Sequence, residues 1–315
     1  MDIDIIWEDS VSIRAIEIMP GSLAFAGNQG IFGSVDLKTH TVRTNVQHYD
    51  SVLPHFRAVA HTDTDFFMLS IASPALLYKT GDVGKMELVY KEEDPKAFYD
   101  AMTFWDNMEG IAVGDAMNGC LSILITRDGG NHWEKLDCAE LPKAQPEEGA
   151  FAASNSNIAV IRDKTWVATS KGRVFYSADR GKSWEVFKTP VTGAEPTHGI
   201  YSLSFWDDQL GMAVGGDYTK PELNTSNKAV TLDGGKTWEL LAEGMQPGYK
   251  SCVQFIPGGG GEDLVALGFT GIAYSADRGN TWKELSDESF YTIRFLNDSV
   301  AYAAGKNRIA RLRFK

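Results

Sequence analysis

Two arginines, one carboxylate and two tyrosines occupy equivalent places in five of seven repeats of the sequence, each just before a small residue; Phe151 and Ser251 occupy this place in the other two. The five residues are Arg14, Arg57, Asp100, Tyr201 and Tyr291. Two guanidinium groups that converge on one point bind a carboxylate or another anionic ligand through charge-assisted hydrogen bonds. A second chemistry uses the acid and a phenol, with Asp100 as the acid and Tyr201 or Tyr291 as the nucleophile on a glycoside. A third interpretation is that these side chains form salt bridges along a water-filled channel.

A short phrase, Ser/Thr-x-Asp-x-Gly-x-x-Trp, occurs four times and indicates the elements that position these side chains. The hydroxyl and the carboxylate can hydrogen-bond the backbone of a tight turn, and the glycine can adopt a positive φ. The tryptophan opens the next strand and buries a large apolar surface. We therefore predict a structural role for Asp128, Trp133, Asp179, Trp184, Asp233, Trp238, Asp277 and Trp282.

The spacing of the repeats predicts the architecture. The four aspartates are 51, 54 and 44 residues apart, close to the period of propeller blades. Weaker copies lie upstream at Ser34-Val35-Asp36 and at Thr80 to Gly84, where Glu87 stands in place of the tryptophan. A seventh unit begins at Thr292 and has no turn motif.

The first strand of the chain is expected to complete the last sheet. Ile5-Ile6-Trp7-Glu8 resembles the Trp-Glu pairs that follow three of the turns. Closing the ring in this way leaves only short, protected sheet edges. The sequence thus predicts an all-β fold: one domain, residues 1–315, forming a seven-bladed β-propeller whose N-terminal strand completes the last blade.

These turns resemble the Asp-box (BNR) repeats of sialidases and related propellers. Together with the Gly-x-Ala-Val-Gly strands at 110–114 and 211–215, they are most similar to the photosystem II assembly and stability factor family, over nearly the whole chain. That resemblance implies a propeller fold and an extracytoplasmic location for the protein, in the periplasm or the cell envelope. The sialidase likeness is partial, because the expected Arg-Ile-Pro phrase is replaced by Arg14-Ala15-Ile16 and Arg57-Ala58-Val59.

Composition narrows the classes of partner. The formal charge of −12 and the pI of about 5.0 disfavour nucleic acid and anionic membranes, so we predict neither nucleic-acid binding nor direct membrane insertion. Met1 is followed at once by a strand, with no signal peptide, although removal of a leader would leave the same start. The three cysteines, Cys120, Cys138 and Cys252, show neither metal-ligand nor disulfide-framework spacing. We expect no metal and no cofactor, and a core thiol at Cys252.

Long loops on the face of the arginines form a second candidate region. They cover 44–54, 137–149 and 188–199, and an insertion at 215–227 contains Asp217 and Tyr218. His55, Glu148, His198 and Tyr249 lie at the ends of such connections, and we count His55 and His198 among the candidate binding residues. The favoured function is a non-catalytic binding or assembly propeller that presents this face to a protein segment or an anionic ligand. The alternative is a sialidase-like hydrolase acting on an anionic glycan.

Overall fold

The computed structural model describes residues 1–81, 85–193 and 195–314. Its strands are antiparallel and form six sheets, which are the blades of an all-β propeller. Within the described residues, a single turn of 3-10 helix lies at Cys138–Glu140. In the part of the chain that the structure describes, no helix is long and apolar enough to cross a membrane.

The first blade has six strands and closes the ring. In the order in which they pair, its strands are β25 (Thr292–Phe295), β26 (Val300–Arg313), β1 (Asp2–Met19), β2 (Ser22–Gly27), β3 (Ile31–Asp36) and β4 (Val42–Val46). The N-terminal strand β1 pairs with β26 from Asp2 opposite Arg313 to Ser12 opposite Lys306. It then pairs with β2 from Ile13 opposite Gly27 to Met19 opposite Ser22.

The predicted count of seven blades is wrong. The seventh repeat and the first repeat share the 18-residue strand β1, so that they form one continuous sheet. Counting repeats in the sequence counts units of chain, whereas the number of blades depends on which strands pair. The β-propeller itself is confirmed.

The other five blades each have four strands in sequential order. The second and third are β5 (Phe56–His61), β6 (Phe66–Ser70), β7 (Ala75–Thr80), β8 (Met86–Glu92), and β9 (Tyr99–Phe104), β10 (Gly110–Met117), β11 (Cys120–Thr126), β12 (Glu134–Lys135). The fourth and fifth are β13 (Ile158–Ile161), β14 (Lys164–Ala168), β15 (Arg173–Ser177), β16 (Glu185–Lys188), and β17 (His198–Phe205), β18 (Gly211–Asp217), β19 (Lys228–Thr231), β20 (Glu239–Leu240). The sixth is β21 (Cys252–Phe255), β22 (Leu264–Gly268), β23 (Gly271–Ser275), β24 (Lys283–Ser286).

The four turns between the third and fourth strands of a blade make one shared set of hydrogen bonds; we call them the Asp turns. In the fourth blade, Asp179 Oδ1 accepts from Ser177 Oγ at 2.8 Å and from the Ser183 amide at 2.8 Å. The Gly181 amide, at a φ of 79°, donates to Ser177 Oγ. Trp184 Nε1 donates back to the Gly181 carbonyl at 3.1 Å. Side chain and backbone thus satisfy each other within the turn.

The two weaker copies have different outcomes. Asp36 Oδ1 accepts from the Lys38 and Thr39 amides at 2.9 and 2.7 Å, so the first copy also organises a turn. Residues 82–84 of the second copy lie outside the described part of the chain.

The inner strand of the fourth blade begins later than the repeat predicts. The repeat pattern places Phe151 and Ala152 where an inner strand should start, but β13 begins at Ile158. The intervening segment, residues 151–157, crosses the central channel; we call it the plug. Its buried side chains bond four other blades: Asn155 donates to the Val59 carbonyl at 2.8 Å and Ser154 to the Ser251 carbonyl at 2.6 Å. The Met102 amide and the Ser202 hydroxyl bond it from the third and fifth blades.

The cysteines also differ from expectation. Cys120 and Cys138 form a disulfide, with their Cα atoms 5.4 Å apart. The spacing of 18 residues did not match any framework, because a single bridge inside a propeller blade follows no motif. Cys252 is free and fully buried, as predicted.

Candidate functional site

A cavity of about 450 Å³ opens at one mouth of the central channel. In antiparallel blades the inner strand starts at this mouth, and the Asp turns, two strands later, lie on the opposite face. We call the cavity the funnel. Its lining residues are Arg14, Arg57, Phe151, Ala152, Ala153, Tyr201, Tyr218, Tyr249, Phe269 and Tyr291.

Four of the seven predicted binding residues meet in the funnel: Arg14, Arg57, Tyr201 and Tyr291. A repeated β-bulge explains how three of them arrive there. The register skips one residue between Ile13 and Ala15, between Phe56 and Ala58, and between Ile200 and Ser202. A bulged residue is unpaired and its side chain is re-aimed. Arg14, Arg57 and Tyr201 are the skipped residues, so local backbone irregularity points them into the mouth.

The two guanidinium groups have no anionic partner among the described residues. The ion pairs of the other arginines do not include Arg14 or Arg57. Arg14 stacks over the Tyr291 ring, 4.1 Å from its centroid, and its Nη1 approaches the Ala153 carbonyl at 3.5 Å. Its buried Nε has no acceptor.

Arg57 is half-buried, and its electrostatic surroundings are unfavourable for a cation. Burial lowers the pKa of Arg57, and the Arg14 guanidinium lowers it further. Asp100 and Tyr291 act in the opposite direction. Two like charges are therefore held together on the wall of one cavity, where a bound anion would relieve their repulsion.

Aromatic rings form the rest of the wall. Phe151 stacks on Tyr201 with centroids 3.8 Å apart and an interplanar angle of 2°. Tyr249 packs edge to face on Tyr201, with ring centroids 4.8 Å apart. The ring centroid of Phe269 is 5.3 Å from that of Tyr249. Tyr218 comes from the predicted insertion, 6.5 Å from Tyr201. The repeat pattern did not predict a role for Phe269. The sequence feature that could have indicated one is an aromatic residue at the tip of the hairpin between β22 and β23.

Asp100 does not line the funnel, contrary to prediction, although it too is a skipped residue, between Tyr99 and Ala101. It is fully buried, and neither carboxyl oxygen has a hydrogen-bond donor in the described structure. Burial and then the neighbouring Asp115 carboxylate raise the pKa of Asp100 well above its usual value. Burial also raises the pKa of Asp115 to about 6. Burial and the neighbouring carboxylate therefore favour the neutral form of Asp100 in this buried carboxyl pair.

Because Asp100 is buried, the structure lacks the geometry that the glycosidase alternative requires. A glycosidase needs its acid and its nucleophile in one pocket, within reach of one anomeric carbon. Asp100 is sealed behind the wall, while Tyr201 Oη donates to the Thr197 carbonyl at 2.8 Å. Burial raises the pKa of Tyr201, which disfavours the phenolate. The trio of Asp100, Tyr201 and Tyr291 is therefore not assembled for catalysis.

Among the residues at the loop ends, Tyr249 lines the funnel, whereas His55, Glu148 and His198 lie elsewhere. His55 borders a separate, smaller cavity beside Ile71 and Pro74. His198 contacts the Ser226 carbonyl through Nε2 at 2.9 Å. Glu148 is buried and holds Arg173, whose Nε donates to Oε1 at 2.9 Å. In the described regions, no group of three His, Cys, Asp or Glu side chains could hold a metal ion.

Comparisons with known proteins agree on the fold. The family model described as "Sortilin, neurotensin receptor 3" matches residues 121–254. No curated protein matches the chain by sequence. The solved structure "YCF48 bound to D1 peptide" is similar with a TM-score of 0.70 and 14% identity, over 99% of this chain and 97% of that one. YCF48 from Cyanidioschyzon merolae has a TM-score of 0.67 and 12% identity, over 99% and 98%.

A different class of propeller is equally similar. The structure of the RRP9 WD40 repeats has a TM-score of 0.70 and 11% identity, over 100% of this chain and 98% of that one. At such identities the likeness shows the fold alone. The chain thus resembles YCF48 in its propeller fold, at low sequence identity.

Proposed function

We propose that the protein is a non-catalytic binding propeller whose funnel holds a segment of a partner protein through a carboxylate on that segment. The observation that carries the proposal is the pair Arg14 and Arg57, held together in an aromatic cavity without an ion pair to any described carboxylate. A bound carboxylate would satisfy the buried Nε of Arg14 and offset the repulsion that lowers the pKa of Arg57.

The shape of the funnel supports a peptide as the ligand. The plug closes the channel beneath it, so a ligand rests on Phe151, Ala152 and Ala153 rather than passing through. Flat aromatic walls pack against apolar side chains or backbone at little entropic cost, because their rings are already ordered by mutual contacts. The similar propeller YCF48 was solved with a D1 peptide, which is consistent with peptide capture by this fold.

The test is the binding of a labelled acidic peptide. Fluorescein-Gly-Phe-Asp-Phe-amide is titrated with the protein and followed by fluorescence polarisation, beside the same peptide with Asn for Asp. We expect the Asp peptide to bind and Arg57→Ala to weaken it by roughly tenfold or more, since one charge-assisted contact contributes about 1.5–3 kcal/mol. Arg14→Ala should act similarly.

Arg127→Ala is the matched control, because Arg127 is paired with Glu109 on the opposite face. Equal binding of the Asp and Asn peptides, or full affinity in Arg57→Ala, would contradict the proposal. A panel of fluorogenic sialosides and uronides adds a second arm. Turnover that disappears in Arg57→Ala would replace binding with hydrolysis as the function of the funnel.

We also infer that the protein works in an oxidising compartment outside the cytoplasm. Disulfides persist in such compartments and are rare in the cytosol, and the Cys120–Cys138 bridge supports this placement. Protein quenched with acid and denatured without reductant should show one reactive thiol, that of Cys252, and three after reduction. Three reactive thiols before reduction would count against an oxidising compartment.

A further inference from the structure

Four neighbouring pairs of blades are joined by a tryptophan from an Asp turn. Each indole packs on the preceding blade. The ring centroids of Trp133 in the third blade and Phe67 in the second are 6.4 Å apart. Trp133 also meets Phe104 of its own blade edge to face at 5.7 Å. The same arrangement recurs in the cores that contain Trp184, Trp238 and Trp282. A tryptophan side chain packed between neighbouring blades is therefore a repeated structural feature of this propeller.

The second blade has no tryptophan at this place. In the fourth blade, Tyr176 pairs with Glu185, which sets Trp184 opposite Ser177. In the second blade, Lys79 pairs with Glu87 and Thr80 with Met86. By strand register, Met86 rather than Glu87 holds the tryptophan position, so the sequence alignment of this turn was wrong by one residue.

The facing wall of the first blade is also reduced in size. Phe67, which receives Trp133, pairs with Ala60 in the second blade. The equivalent pair in the first blade is Ala24 with Glu17, because Glu17 lies two residues after Ala15 as Ala60 does after Ala58. An alanine and a methionine thus replace the phenylalanine and tryptophan of the next interface.

The missing volume leaves a groove of about 400 Å³ on the face opposite the funnel. We call it the blade 1–2 groove; its lining includes Ala24, Phe32, Ser34 and Arg43 of the first blade, and Phe66 and Met86 of the second. Arg43 is exposed at its border and forms no ion pair with a described carboxylate. The Asp36 carboxylate is near enough to interact with Arg43 electrostatically, but the two do not form an ion pair. The groove therefore combines an apolar gap with a positive charge at its border.

We propose that the blade 1–2 groove binds a tryptophan followed by an acidic residue, supplied by a segment of a partner protein. The chain's own interfaces indicate this occupant, because Trp-Glu follows the Asp turn at 133–134, 184–185 and 238–239. The indole fills the space left by Ala24 and Met86. The following carboxylate pairs with Arg43 at the border of the groove.

The probe is a peptide whose sequence is taken from one of the chain's own Asp turns and the strand that follows it. A fluorescein-labelled, amide-capped peptide Lys-Ser-Trp-Glu-Val-Phe, residues 182–187, is titrated against the folded protein. We expect saturable binding that falls at least tenfold when the peptide Trp is replaced by Ala. Ala24→Phe should reduce binding to a similar extent, since it restores the ring that the second blade carries at Phe67. Arg43→Glu should weaken it several-fold.

Arg57→Ala separates the two sites, because the probe also carries a carboxylate: loss of binding in this variant would place the peptide in the funnel and overturn the proposal. Should Ala24→Phe fold poorly, the ¹³C-methyl signal of Met86 in the wild-type protein gives an independent readout, and it should shift on peptide addition. Absence of saturable binding, or binding unaffected by both Ala24→Phe and Arg43→Glu with an unmoved Met86 signal, would overturn the proposal.

Discussion

At the residue scale, the funnel depends on a single skipped residue in each inner strand. Arg14, Arg57 and Tyr201 share one backbone irregularity, and their side chains enter one cavity. Asp100 is also a skipped residue, but its side chain is fully buried. The segment at Gly149 and Ala150 covers that side of the mouth, and the Ala150 amide donates to Asp115 Oδ1 at 3.1 Å. A Cβ on Gly149 would lie 1.9 Å from the same oxygen, so the cover is close-fitting.

The buried carboxyl pair should make stability depend on pH. Burial and Asp115 raise the pKa of Asp100, so the folded protein keeps a proton that the unfolded chain releases. The stabilisation is fully present below the unfolded pKa, near 3.8, and is lost as pH rises through about 6, the raised pKa of Asp115, and beyond. Asp100→Asn, uncharged in both states, should stabilise the protein more at pH 8 than at pH 5, by on the order of 1–3 kcal/mol.

Urea unfolding at the two pH values measures this effect. Asp298→Asn serves as the control, because the exposed Asp298 makes no side-chain hydrogen bond to a described residue. An Asp100→Asn protein with the same change in stability at pH 5 and pH 8 would show that the pair is ionised in the folded state.

At the element scale, the Asp turns are self-sufficient units. Asp179 accepts hydrogen bonds from two side-chain hydroxyls and two backbone amides. Burial alone would raise its pKa, but the bonds from Ser183 and Ser177 lower it below the usual value. These bonds are local in sequence, within four residues, and this is why a short phrase was enough to predict the turn.

Removing the carboxylate of one Asp turn should weaken the fold without affecting the funnel. Asp179→Ala leaves the Ser183 and Lys182 amides to water and should cost about 1–3 kcal/mol of unfolding free energy. Urea denaturation reports the loss, and the acidic peptide should still bind the funnel, on the opposite face. Asp298→Ala, without such bonds, should change stability little. An Asp179→Ala protein as stable as the wild type would mean that water satisfies the turn equally well.

The plug shows what repeat-based alignment misses at this scale. Residues 151–157 lie where the pattern predicts a strand, yet their polar groups bond the inner strands of other blades. Asn155, at a φ of 57°, both accepts from the Met102 amide and donates to the Val59 carbonyl. Such partners lie 53 and 96 residues away along the chain, so no local pattern records them.

At the scale of the whole molecule, β1 joins the two ends of the chain. Its first half pairs with β26 and its second half with β2, which merges the first and seventh repeats into one six-stranded blade. Ion pairs support the seam, with Arg311 and Arg313 both on Asp4 at 2.7 and 3.1 Å. The two proposed binding regions lie on opposite faces of this ring, so the funnel and the blade 1–2 groove can be tested separately.

The sequence by itself determined the local physics of this protein: the Asp turns, the alternation of short strands, the expectation of a propeller and the approach of Arg14, Arg57, Tyr201 and Tyr291. Each of these follows from residues close in sequence or from one repeated position. Only the tertiary structure decided the number of sheets, the burial of Asp100, the plug, the Cys120–Cys138 bridge and the place of Phe269. These depend on contacts between segments distant in the chain, where packing and strand pairing, rather than local preference, lower the free energy.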